Sequence, residues 1–94
     1  MNYQLHAVVQ GRVQGVSFRH YTVMQAQDLG LAGWVRNRPD GSVETTAEGE
    51  KEQLDIFLDW LHIGSPAAQV TQVTVHWYPA TGTFSSFETR YGYG

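Results

Sequence analysis

The chain has 94 residues, no cysteine and a net charge of −3. That length allows one modest hydrophobic core, so residues 1–94 read as a single domain. The missing cysteines exclude disulfide staples, thiolate metal sites and cysteine nucleophiles. No apolar run reaches the roughly 18 residues that span a bilayer. The start, Met1-Asn2-Tyr3-Gln4-Leu5-His6, lacks the basic and apolar regions of a secretion signal, so a cytoplasmic protein with no membrane partner is expected. The charge is uneven: residues 1–38 sum to +3, through Arg12, Arg19, Arg36 and Arg38, whereas residues 39–94 sum to −6. This favours a local anion site over a broad nucleic-acid footprint.

Residues 3–10 alternate, with Tyr3, Leu5, Ala7 and Val9 on one face, which predicts a half-buried strand. The segment Gly11-Arg12-Val13-Gln14-Gly15-Val16-Ser17-Phe18-Arg19 follows it. Its two glycines can turn tightly and approach a ligand closely. A strand–loop–helix passage of this kind aims backbone N–H groups and the positive end of a helix at one point. Arg19 in the first helical turn adds a guanidinium, and the whole reads as a cradle for an oxyanion, most naturally a phosphate. The loop is neither a Walker A nor a GxGxxG. Ser17 is expected to cap the helix with its hydroxyl.

A helix is predicted from Phe18 to Leu29, with Phe18, Thr22, Ala26 and Leu29 on one face and Gly30-Leu31 as its stop. Two strands, Trp34 to Arg38 and Ser42 to Ala47, flank a Pro39-Asp40-Gly41 turn. A second helix runs from Glu50 to Leu61 on the stripe Leu54, Phe57, Leu58 and Leu61. Val73, Val75 and Trp77 mark a further strand, and Phe84 to Tyr91 a last one. The order β-α-β-β-α-β predicts an α+β, ferredoxin-like α/β sandwich: an antiparallel sheet with both helices on one face. Residues 1–2 and 92–94 are expected to be loose. His6, His20, His62 and His76 show no metal-ligand spacing, and Asp28, Glu44, Glu48 and Glu50 form no recognisable cluster, so neither metal nor cofactor is expected. Trp34, Trp60 and Trp77 read as core or core-edge packing.

Residues 11–19, with Gly33-Trp34-Val35-Arg36-Asn37-Arg38-Pro39-Asp40-Gly41-Ser42-Val43-Glu44, resemble the two signature motifs of the acylphosphatase family. The resemblance continues through Ala47-Glu48-Gly49, Phe57-Leu58-Asp59-Trp60-Leu61, the Gly64 to Val75 stretch and Phe87-Glu88-Thr89-Arg90-Tyr91. It implies a ferredoxin-like sandwich that hydrolyses acyl phosphates to a carboxylate and inorganic phosphate. It further implies that Arg19 binds the phosphate, that Asn37 orients the attacking water, and that Gln14, Gly15, Val16, Ser17 and Phe18 form the phosphate-binding backbone loop. The partner would be a small-molecule acyl phosphate. For so small a domain, a monomer is the default expectation. The Gly92-Tyr93-Gly94 tail extends past the family's usual terminal tyrosine, and the linker His62 to Pro66 lacks the family's lysines. Two other readings share the fold: a non-catalytic module that binds a small anion or a protein, and an RNA-binding domain. The latter needs exposed aromatics on the central strands, and Ser42 to Ala47 supplies none.

Overall fold

A computed structural model describes residues 1–91. The expected loose tail at 92–94 lies outside the described residues. The elements are β1 (Asn2–Arg12), α1 (Phe18–Asp28), β2 (Ala32–Asn37), β3 (Val43–Glu50), α2 (Lys51–Ile63), β4 (Gln69–Pro79) and β5 (Phe87–Thr89). They form one sheet in the order β4-β1-β3-β2-β5, with α1 over β2 and β5 and α2 over β1, β3 and β4. This is the expected ferredoxin-like α+β sandwich.

The period-two pattern sets which face is buried. Leu5, Ala7 and Val9 of β1 and Val43, Thr45 and Ala47 of β3 are fully enclosed beneath the helices. Phe18, Thr22 and Ala26 come down from α1 and Leu54, Phe57 and Leu61 from α2, each set repeating at helical spacing. The α1 stop is as expected. Leu31 N–H donates to the Ala26 carbonyl at 2.9 Å and Gly30 N–H to the Gln27 carbonyl at 3.1 Å, a reversal that satisfies helix-end carbonyls. The β2–β3 turn closes as read: Asp40 accepts the Ser42 N–H at 3.0 Å and the Ser42 hydroxyl at 2.5 Å.

Three features depart from expectation. Asn2 is no loose terminus, since it pairs with Glu50 at the start of β1. The last strand is shorter than Phe84 to Tyr91, spanning Phe87–Thr89 only. That strand also runs parallel to β2, pairing Gly33, Trp34 and Val35 with Phe87, Glu88 and Thr89, so the sheet is mostly but not wholly antiparallel. The direction follows from the path. After β4, on one edge, the chain crosses to the opposite edge before it pairs again, and a long crossover permits the parallel sense where a tight hairpin would not.

Glu48 anchors that crossover. Its carboxylate accepts the Gln4 amide at 2.7 Å, the Thr81 N–H and hydroxyl at 2.8 Å each, and the Gly82 N–H at 3.0 Å. Burial by itself would raise the Glu48 pKa, but these bonds from Thr81, Gln4 and Gly82 outweigh it and hold the carboxyl below its ordinary value. A carboxyl held low in the fold stabilises fully above the ordinary carboxyl range. That stabilisation is lost as pH falls through the lowered value. Glu48→Gln is therefore expected to cost about 1–3 kcal/mol near neutral pH. Its deficit against the wild type should shrink in acid, as denaturant melts at neutral pH and near pH 3 would record.

Candidate active site

The loop between β1 and α1 is shaped by two left-handed residues. Gly15 has φ 73° and Ser17 has φ 60°, ψ 22°. Alternating hand along a short segment turns successive N–H groups to one side, the geometry of an anion-binding concavity. Ser17 occupies the N-cap position, but its hydroxyl makes no capping bond. This corrects the expected side-chain cap: with the backbone left-handed, the extended conformation from which serine caps a helix is lost. The first helical bond runs from Tyr21 N–H to the Ser17 carbonyl at 3.1 Å. The N–H groups of Phe18, Arg19 and His20 thus precede the intrahelical ladder. No acidic residue stands in the first turn of α1, so the positive end of the helix is not neutralised there.

The loop is held from three sides. Phe18 is 1% exposed and lies against Trp60, ring centroids 5.5 Å apart. Gly64, at φ 78°, leaves room for that ring: a Cβ there would sit 2.7 Å from Phe18 Cε2. Ser65 Oγ donates to the Val16 carbonyl at 2.8 Å. Gln14 Nε2 donates to the carbonyls of Arg38 and Ser42 at 2.8 and 2.9 Å.

In front of the loop lies a cavity of about 270 Å³. Val13, Gly15, Ser17 and Phe18 line it from the loop, and Arg19, His20 and Val23 from α1. Asn37 enters from the end of β2, and Thr89 and Tyr91 from the last segment. The structure therefore brings Arg19 and Asn37 to one cavity from distant parts of the sequence. Of the expected loop residues, Gly15, Ser17 and Phe18 reach the cavity wall. Gln14 and Val16 do not, their polar atoms being turned to the anchors just described.

Arg19 is half-buried, with its guanidinium 5.2 Å from the centre of the Tyr91 ring. Among the described residues it pairs with no carboxylate, and the Asn37 side-chain amide makes no hydrogen bond. Their donors are thus not taken up by polar side chains of the described residues. The other arginines of the basic half go elsewhere. Arg36 binds Glu44 on the open face of the sheet, Nε to Oε1 at 2.8 Å, and Arg38 lies 4.0 Å from Asp40. Burial would raise the Glu44 pKa, but bonds from His6 and Arg36 lower it overall.

Sequence reasoning missed Thr89 and Tyr91 as cavity residues, because their position depends on the parallel return of β5 beside β2. It also missed Ser65, whose role carries no sequence signal. His20, adjacent to Arg19, could have been found from its place in the first helical turn. Trp34 and Trp77 are not core residues: Trp34 stacks under Arg36 and Arg90, and Trp77, 37% exposed, lies beneath the Lys51 ammonium. No group of three or more His, Asp or Glu among the described residues is placed to hold a metal. No helix among them is long and apolar enough to cross a membrane.

Fold and cavity together define a small α+β protein with a backbone cradle and one arginine facing a polar recess, a layout suited to an oxyanion. The family model described as Acylphosphatase matches residues 5–89. An acylphosphatase of Acaryochloris marina is 51% identical over 84 residues, 89% of each chain. One of Pelotomaculum thermopropionicum is 48% identical over 86 residues, covering 92% of this chain and 94% of that one. The crystal structure of acylphosphatase from Bacillus subtilis superposes with a TM-score of 0.92 at 40% identity, covering 95% of this chain and 99% of that one. The chain belongs to the acylphosphatase family.

A Cβ on Gly15 would meet no atom within 4 Å. Gly15→Ala should therefore destabilise through its left-handed backbone alone, by about 1–2 kcal/mol. A thermal melt compared with the wild type measures it.

Proposed function

We propose that this chain hydrolyses acyl phosphates to a carboxylate and inorganic phosphate, with Arg19 and the backbone of residues 14–18 holding the phosphoryl group and Asn37 orienting the attacking water. The reading is supported chiefly by family membership together with the single cavity that Arg19, the loop and Asn37 share. Gly15, Ser17 and Phe18 stand on the cavity wall, and Gln14 and Val16 complete the loop.

The chemistry needs little more. An acyl phosphate is a mixed anhydride whose leaving group is a carboxylate with a pKa of roughly 4 to 5. It departs unprotonated, so a general acid adds little. What remains is to hold the phosphoryl group, offset its developing charge and place a water in line. A guanidinium and loop N–H groups answer the first two needs. The Asn37 carbonyl oxygen would accept a hydrogen bond from the water, and its NH₂ would steady the incoming phosphoryl oxygens.

The same reading takes residues 1–94 as one catalytic domain, a cytoplasmic monomer working without metal or cofactor on a small-molecule substrate. The RNA-binding alternative has little to stand on. The open face of central strands β1 and β3 carries Gln4, His6, Glu44, Thr46 and Glu48, with no aromatic platform among these positions.

Phosphate release from benzoyl phosphate, measured with excess chelator, tests the proposal. Turnover should survive chelation. Arg19→Ala and Asn37→Ala should each lose about 10²- to 10³-fold in kcat while staying folded, the cost of one well-aimed donor. A folded variant with near-wild-type turnover removes its residue from the mechanism. A folded wild type without turnover makes the loop a binding site only.

A further inference from the structure

The phosphate loop and Asn37 are carried by strands that do not touch. β3 lies between β1 and β2, so no backbone ladder joins the loop after β1 to the end of β2. Among the described residues, the hydrogen bonds that cross this gap come from one side chain, Gln14. Its single amide nitrogen donates to the Arg38 carbonyl at 2.8 Å and to the Ser42 carbonyl at 2.9 Å. These carbonyls flank the mouth of the β2–β3 turn, where Arg38 N–H also donates to the Ser42 carbonyl at 2.9 Å and Gly41 N–H to the Arg38 carbonyl at 3.1 Å. The amide is therefore bonded to carbonyls that already close the turn. Asn37 directly precedes Arg38, and the cavity-lining Gly15 directly follows Gln14.

We infer that the Gln14 side chain is a strut that sets the spacing between the phosphate loop and Asn37. It is a positioning residue for the in-line water, and the inference rests on the roles proposed above for Arg19 and Asn37. Gln14 does not line the cavity and so acts through its neighbours. The residue type suits the task. A primary amide offers two hydrogens on one nitrogen, enough for two carbonyls, and brings no charge into a half-buried place. Asparagine has the same amide but is one methylene shorter. The strut would matter because in-line attack is sensitive to placement: an error of about 1 Å can cost on the order of 100-fold.

The test uses Gln14→Met, which keeps length and packing but has no donor, beside Asn37→Ala and the double variant. Benzoyl phosphate turnover and inhibition by inorganic phosphate are measured for each. Gln14→Met is expected to lose roughly 10- to 100-fold in kcat with its inhibition by phosphate unchanged. The double variant should be no slower than Asn37→Ala, because spacing to an absent amide has no effect. Losses that multiply in the double variant, or weakened phosphate inhibition with kcat intact, would overturn the inference and leave Gln14 as a support for the loop alone. Should Gln14→Met fail to fold, Gln14→Asn serves: a reduced kcat upholds the strut, and a wild-type kcat refutes it. Arg19→Ala and Asn37→Ala separate the two levels of the argument. If both retain turnover, the site assignment fails and the strut with it. If both collapse while Gln14→Met turns over normally, only the strut fails.

Discussion

The burial of one ring, that of Phe18, underlies the geometry of the site. Phe18 is the first residue of α1 and is enclosed between Trp60 and the turn at Gly64. Fully burying a side chain of this size contributes about 1.5–3 kcal/mol, and cutting a buried phenylalanine back to alanine typically costs about 3–5 kcal/mol. That is enough to hold the helix start in one place against the strain of a left-handed serine just before it, a cost of about 1–2 kcal/mol. The N–H groups of the first turn then point where the ring's packing puts them. A polar function is thus positioned by an apolar contact on the far side of the same residue.

The open face and the end of the sheet separate the charges of the chain. On the open face, Glu44 lies between His6, at 2.7 Å, and Arg36, and Glu48 gathers the crossover after β4. These groups satisfy one another. At the end of the sheet, Arg19 meets an aromatic ring and no described carboxylate. The basic character of residues 1–38 was readable in the sequence, but where it would act was not. Arg19, Arg36 and Arg38 have three different fates, set by strand register and by which face each residue meets.

Much of the architecture was legible because it rests on local periodicity. Leu54, Phe57 and Leu61 mark a helix stripe and Leu5, Ala7 and Val9 a strand face, and these residues are the core. The loop at 11–19 was legible as a ligand cradle from its glycines and its arginine. Arg19 and Asn37, assigned by family resemblance, do line one cavity. What could not be read were features made by distant segments meeting. The parallel sense of β5, the cavity positions of Thr89 and Tyr91, the bond from Ser65 to Val16 and the reach of Gln14 across to Arg38 and Ser42 are of this kind. The Ser17 cap failed for a different reason: the local rule assumes an extended backbone, and the cradle requires the opposite hand.

The parallel return of β5 also bears on how the protein is made. The cavity is walled at one side by Thr89 and Tyr91, which the ribosome adds after every other element of the fold. Synthesis runs from the N-terminus, so β1, α1, β2 and β3 are made before β5 exists. The recess that faces Arg19 and Asn37 gains its last wall only when β5 docks against β2 by a contact remote in sequence, the class of contact that forms slowly. Until β5 docks beside β2, a chain of this protein lacks a finished site, whatever else of its fold has formed.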